Sequence, residues 1–216
     1  MRIVIADDHA IIRQGLKSLC ESRGGIEVIG EAEDGQGAVR LAEELSPDVI
    51  IMDVTMPDMN GVEATRQILE RNPNAKVIIL SMHPDKHIVR EALKAGALGY
   101  VLKSYVFDEL CRALDAAAAD GHYLSPRITD VIIDDYVRGV PVHGASSPPE
   151  ELTSTERQIL QALAEGLTVK QTAKRLHASP KTIDAKRRHI MHKLGVSSVA
   201  DLVKYAIREG LTSLDF

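Results

Sequence analysis

Val49-Ile50-Ile51-Met52-Asp53 is an unbroken apolar run that stops at an acid. It is too short for a helix and rich in β-branched residues, which suits a strand covered on both faces. Four more such runs lie in the first 121 residues: Ile3-Val4-Ile5-Ala6, Ile26-Glu27-Val28-Ile29, Val77-Ile78-Ile79-Leu80 and Gly99-Tyr100-Val101-Leu102. Between and after them come stretches with helical spacing, near 9–22, 35–45, 61–71, 85–95 and 105–120, several closed by Gly or a later Pro. Strands alternating with helices imply a parallel sheet joined by right-handed crossovers. The spacing predicts an α/β domain over residues 1–121, built on a five-stranded, doubly wound parallel sheet.

Beyond Gly121 the pattern changes. Ser125-Pro126 reads as an N-cap with proline at the first helical position, and Ile128, Val131, Ile132 and Val137 follow at helical spacing. A linker helix is expected there. Residues 139–150, with Pro141, Gly144, Ser146, Ser147, Pro148 and Pro149, have little to bury and read as a flexible tether, so residues 122–150 separate two domains. From residue 152 every signal is helical. Thr153-x-x-Glu156 and Thr168-x-x-Gln171 are capping boxes, a third helix opens at Ser179-Pro180, and a fourth runs from near Ser198 to Gly210. Residues 151–216 are thus expected to form a small all-α, four-helix domain.

Charge divides along the same line. Residues 1–121 hold 13 Lys and Arg against 20 Asp and Glu, a net of −7, whereas residues 151–216 hold 11 against 7, a net of +4. The basic half is the one suited to a polyanion. No apolar run approaches the roughly 20 residues that span a bilayer, and the chain turns acidic at Asp7-Asp8, too early for a signal peptide. A cytoplasmic protein with no membrane partner is expected. Cys20 and Cys111 lie far apart in sequence with no metal-ligand spacing and are expected to be reduced. Nothing in the spacing of His83 and His87 indicates a metal site.

In an open parallel sheet, ligands bind beyond the carboxyl ends of the strands. Asp7-Asp8 follow the first run, Asp53 ends the third, Ser81 follows the fourth and Lys103 the fifth. An acid at a strand end often caps a helix, and a single lysine is usually a solvated surface charge. Four strand ends with complementary chemistry are harder to explain that way. Three carboxylates sharing a small site need a cation, and all-oxygen donors favour a hard one, Mg²⁺, which takes one or two carboxylates, waters and phosphate oxygens. A carboxylate can attack phosphorus and form an aspartyl phosphate while metal and lysine neutralise the phosphoryl oxygens. The Ser81 hydroxyl is placed to bond the phosphoryl group.

Residues 170–193 hold eight basic side chains, Lys170, Lys174, Arg175, Lys181, Lys186, Arg187, Arg188 and Lys193, against one acid, Asp184. A solvated helix face normally mixes both signs, so this density is the footprint of a phosphate backbone. Ile183, Ile190, Met191 and Leu194 would pack inward and turn Lys181, Asp184, Ala185, Arg187 and Arg188 outward, as a helix entering the major groove requires. Arg188 suits guanine, Asp184 cytosine N4 and Ala185 a thymine methyl. Lys170, Lys181, Arg187 and Lys193 suit phosphates.

The Asp7-Asp8 pair, Met52-Asp53-Val54-Thr55-Met56-Pro57, Gly61, Ser81 and Gly99-Tyr100-Val101-Leu102-Lys103 resemble the receiver domains of two-component systems, across residues 1–121. The resemblance implies a flavodoxin-like fold and phosphorylation of Asp53 by a sensor histidine kinase. It also implies Mg²⁺ held by Asp8, Asp53 and the Thr55 carbonyl, with Asp7 acting through water. Lys103 would pair with the phosphoryl group, and Ser81 and Tyr100 would form the switch; simple packing is the alternative for Tyr100. Residues 151–211 resemble the LuxR-type helix-turn-helix through Leu152-Thr153-x-x-Glu156, Ala173-x-x-Leu176, Ser179-x-Lys181-Thr182-Ile183 and Ile190-Met191-x-Lys193-Leu194-Gly195-Val196. With the receiver, this pattern is similar to the NarL/FixJ group and adds Thr182 to the DNA-facing set. Thr172 stands where that family has an apolar residue, which predicts looser helix packing, and Lys186 where it often has histidine, which adds a phosphate contact. The family's last helix dimerises on DNA, so Val199, Leu202, Val203 and Ala206 serve either a homodimer or the core.

The sequence thus reads as a regulator and not an enzyme, whose binding of double-stranded DNA follows the phosphorylation of Asp53. The charge split suggests that the acidic domain restrains the basic one. A DNA-binding regulator indifferent to phosphate is one alternative. A Mg²⁺-dependent aspartyl-phosphate phosphatase is another, but such enzymes place the nucleophile after the first strand with an acid two residues on, and here Thr55 lies two beyond Asp53.

Overall fold

Each apolar run becomes a strand: β1 (Arg2–Ala6), β2 (Glu27–Ala32), β3 (Val49–Asp53), β4 (Val77–Ser81) and β5 (Gly99–Leu102). The strands are parallel in the order β2-β1-β3-β4-β5, and the order reverses between β1 and β3, where doubly wound sheets bind ligands. The computed structural model describes residues 1–82, 84–138, 152–196 and 198–212. His83 and the expected tether at residues 139–150 lie outside them. The chain divides into two units, Met1–Val140 and Pro141–Phe216.

Alternation along the strands builds two cores, one on each face of the sheet. Ile3, Ile5, Val49, Ile51, Ile78, Leu80 and Val101 pack with residues of α1 (Ala10–Ser22) and α5 (Val106–Ala118). Val4, Ala6, Ile50, Met52, Val77, Ile79, Tyr100 and Leu102 pack with residues of α2 (Gly35–Leu45), α3 (Gly61–Arg71) and α4 (Lys86–Lys94). Cys20 is buried in the first core, and both cysteines are free thiols. A single 3-10 turn, Lys103–Tyr105, joins β5 to α5.

The segment after residue 121 departs from expectation. Tyr123 and Leu124 form a sixth strand, β6, in parallel register with Gly99 and Tyr100. The expected linker helix is present as α6 (Pro126–Arg138), but it packs on the first unit: Ile128 is fully buried in the core shared with α4, and Ile132 lies against it. Ser125 stands at the N-cap position, its carbonyl accepting from Ile128 at 2.8 Å and Thr129 at 3.0 Å, while its hydroxyl accepts from the Leu102 N–H at 3.0 Å and donates to Glu109.

The second unit consists of α7 (Ser154–Ala164), α8 (Val169–Arg175), α9 (Pro180–Lys193) and α10 (Val199–Arg208) around a core of Leu152, Ile159, Leu160, Ala173, Ile183, Ile190, Leu202 and Ala206. Both capping boxes are reciprocal, Ser179 and Ser198 cap α9 and α10, and Gly210 follows α10 at φ 66°. Thr172 is fully buried, and its hydroxyl donates to the Thr168 carbonyl at 3.1 Å. Of the apolar stripe on α10, Leu202 and Ala206 belong to the core, whereas Val199 is exposed. Among the described residues no helix is long and apolar enough to cross a membrane.

Candidate functional site

The ends of β1, β3, β4 and β5 bring Asp7, Asp8, Asp53, Ser81 and Lys103 to one edge of the sheet. Asp7, Asp53 and Ser81 are all buried. The Lys103 ammonium lies 2.7 Å from Asp7 Oδ2 and 2.7 Å from Asp53 Oδ2, with its own side chain 6% exposed. Burial pushes the Asp53 pKa up to about 6, and the Asp7 charge adds to this, while Lys103 and a backbone hydrogen bond from Thr55 oppose it. Burial works against the Lys103 ammonium too, but Asp53 and Asp7 outweigh it and raise its pKa.

Donor atoms of Asp7, Asp8, Asp53 and His9 lie within 4.8 Å of one another. Three carboxylates with one lysine leave negative charge that a hard cation suits, so the donor set fits Mg²⁺. His9 was not legible as part of this cluster; its Nδ1 lies 2.7 Å from Asp8 Oδ1 and 3.4 Å from Asp7 Oδ1. Arg13 was also missed. Buried one turn into α1, it donates to the Asp7 carbonyl at 2.7 Å and pairs with Glu31 at 3.2 Å and Glu33 at 2.8 Å, bracing the loop that carries both acids. Thr55 is exposed on the loop after β3. Gly61, at the start of α3, donates its N–H to the Val54 carbonyl at 2.9 Å, and a Cβ there would fall 1.9 Å from the Asp53 carbonyl oxygen. Tyr100 is fully buried and its phenol hydrogen-bonds Ser81; burial raises its pKa.

On α9, Ile183 and Ile190 are buried while Lys181, Thr182, Ala185 and Arg188 are exposed, as is Lys170 on α8. Two expectations change. Lys193 does not project outward: its side chain is 9% exposed and its ammonium pairs with the capping-box carboxylate of Glu156 at 3.2 Å. The Asp184 carboxylate is already shared by Arg187 at 2.8 Å and Arg188 at 3.5 Å, so it holds guanidinium groups in place of a free acceptor for cytosine. Arg175 is likewise committed, to Glu165 at 2.8 Å. Lys186 is half-buried.

Comparison with known proteins finds matches for both parts of the chain. The family described as "Response regulator receiver domain" matches residues 3–115, and "Bacterial regulatory proteins, luxR family" matches residues 150–206. The chain is 36% identical to transcriptional regulatory protein DegU of Brevibacillus brevis, over 97% of this chain and 94% of that one. It is 36% identical to oxygen regulatory protein NreC of Staphylococcus carnosus (strain TM300), over 100% of both. Among solved structures, RcsB from Salmonella enterica serovar Typhimurium, bound to promoter rprA with the phosphomimetic BeF₃⁻, superposes with a TM-score of 0.62 at 28% identity, covering 95% of this chain and 97% of RcsB. A LuxR-family two-component response regulator from Aurantimonas sp. SI85-9A1 gives 0.61 at 40% identity, over 63% of this chain and 97% of that one. This chain belongs to the NarL/FixJ family of two-component response regulators, a receiver domain followed by a LuxR-type DNA-binding domain.

Proposed function

We propose that Asp53 accepts a phosphoryl group from a sensor histidine kinase and that this modification controls how the C-terminal unit binds promoter DNA as a homodimer. The observation that carries the reading is the buried Lys103 ammonium held 2.7 Å from both Asp7 and Asp53, a cation poised where phosphoryl charge would arrive. An Asp53 carboxylate oxygen attacks phosphorus, the bond from phosphorus to the donor's imidazole nitrogen breaks, and that nitrogen keeps the electron pair. Lys103 then pairs with a phosphoryl oxygen. Asp7, Asp8, Asp53 and the Thr55 carbonyl are the groups to hold Mg²⁺, which when bound neutralises further phosphoryl charge. The Ser81 hydroxyl turns to the new oxygens and gives up its bond to Tyr100, which makes these two residues the switch.

In the second unit, Thr182, Ala185 and Arg188 form the base-facing set, Lys170, Lys181 and Arg187 hold phosphates, and Asp184 orients its two arginines. That RcsB has been seen as dimers on DNA supports the homodimer reading here.

The test uses the full chain with Mg²⁺ and acetyl phosphate or a phosphorylated kinase. Wild type is expected to gain one phosphoryl group and bind operator DNA more tightly, and Asp53→Asn to do neither. Asp53→Asn protein that binds DNA as well as phosphorylated wild type rules out phosphate control. Phosphoryl uptake by that variant rules out Asp53 as acceptor.

A further inference from the structure

A buried hydroxyl–carboxylate pair sits where the chain leaves the sheet for α6. Ser125 is 1% exposed and Glu109, in the first turn of α5, 8% exposed. β6 is two residues long because α6 starts at Pro126 and its first turn takes the Ser125 carbonyl, which accepts from Ile128 and Thr129. The sheet edge therefore ends before it can supply an acceptor to the buried N–H of Leu102, and a buried donor without an acceptor is costly. The Ser125 hydroxyl takes that role at 3.0 Å and donates its own hydrogen bond to Glu109. The Ser125 N–H donates to the Tyr100 carbonyl at 2.9 Å. Burial raises the pKa of the Tyr123 phenol, and the Glu109 charge adds to it. One residue thus grips β5 at both Tyr100 and Leu102, and Leu102 immediately precedes Lys103.

We infer that Ser125 and Glu109 are positioning residues for Lys103: through the Leu102 N–H they fix the strand end that carries the lysine and tie the start of α6 to the phosphoryl pocket. Lys103 opens a single 3-10 turn directly after β5, so its reach to Asp53 depends on where β5 ends. Without the hydroxyl the Leu102 amide must find water, and the strand end frays. The inference rests on reading Lys103 as the phosphoryl-binding lysine.

The test titrates beryllofluoride into the full chain with Mg²⁺, follows the bound species by ¹⁹F NMR, and measures hydrogen exchange at the Leu102 amide. Ser125→Ala is expected to weaken beryllofluoride binding about tenfold, the effect of one unsatisfied buried donor, and to speed Leu102 exchange. Ser125→Thr restores the hydroxyl and should restore both. Ile128→Val loosens the buried face of α6 without touching these bonds, so it should lower stability and leave affinity unchanged. An unchanged affinity in Ser125→Ala, or an equal loss in Ile128→Val, overturns the inference. Lys103→Ala separates the two levels: if it alone weakens binding, Ser125 does not position the lysine, and if it has no effect, the reading of the pocket itself fails.

Discussion

At Gly61 the fold leaves no room for a side chain. A Cβ would meet the Asp53 carbonyl oxygen at 1.9 Å and its carbonyl carbon at 2.8 Å, so α3 reaches the acceptor strand only through glycine. Neither neighbour is a flexible side-chain end, and the backbone that holds Asp53 must shift. Gly61→Ala is expected to cost about 3 kcal/mol, the upper end of what overpacking against a rigid neighbour costs, and to impair phosphoryl uptake; urea denaturation and an acetyl phosphate assay check both. Asp53 itself makes a prediction about pH. Its pKa rises from 3.8 to about 6 on folding, so between those values the folded chain binds more protons than the unfolded one. Stability contributed at this site therefore falls as pH climbs through that window, and the loss is complete above it. In metal-free protein at pH 7, Asp53→Asn should stabilise the first unit by about 2–3 kcal/mol, and the gain should vanish below about pH 4. Denaturation curves with a chelator at both pH values read this directly. No gain at pH 7 means that the Asp53 pKa is not raised on folding.

Among the elements, what was legible in sequence was what is local. The capping boxes at Thr153 and Thr168 and the caps at Ser179 and Ser198 each act within three residues, and all four are in place. Strands β1, β3, β4 and β5 were legible because an apolar run buried on both faces has few other uses, whereas the edge strand β2 is only partly buried and extends past its apolar run to Ala32. Long-range pairings were not. β6 is two residues that form a strand only because β5 lies beside them, and the Ser125 hydroxyl is spent on Leu102, 23 residues earlier. In α9, spacing correctly turned Lys181 and Arg188 outward, but nothing local reveals that Lys193 pairs with Glu156, 37 residues away. The two lysines should therefore separate by experiment. Lys193→Met leaves a buried carboxylate without its cation and should destabilise the second unit by about 2 kcal/mol with the salt dependence of DNA binding unchanged. Lys181→Ala should leave stability alone, weaken DNA binding across sequences, and reduce the salt slope by about 1 per protomer.

For the whole molecule, the packing of β6 and α6 carries the first unit past residue 121. A chain ending at residue 121 loses Ile128 from its core and the acceptor for Leu102. It should be less stable than a chain ending at residue 138 by at least about 2 kcal/mol, the worth of one fully buried isoleucine; comparing the two by urea denaturation decides it. The same distinction between residues present and residues available applies to DNA binding. Sequence counts eight basic side chains in residues 170–193, but only Lys170, Lys174, Lys181 and Arg188 are exposed; Arg175 and Lys193 are committed to internal carboxylates, Arg187 is half-buried against Asp184, and Lys186 is half-buried. Each phosphate neutralised contributes about −0.9 to the slope of log K against log salt on B-form DNA. A homodimer whose phosphate contacts are Lys170, Lys181 and Arg187 on each protomer should therefore give a slope near about −5, whereas one using all eight would give about −14. Operator binding measured from 50 to 300 mM salt with phosphorylated protein distinguishes these values. A slope near the larger one means that DNA pulls Arg175 and Lys193 out of their ion pairs, and Lys193→Met would then shift it after all.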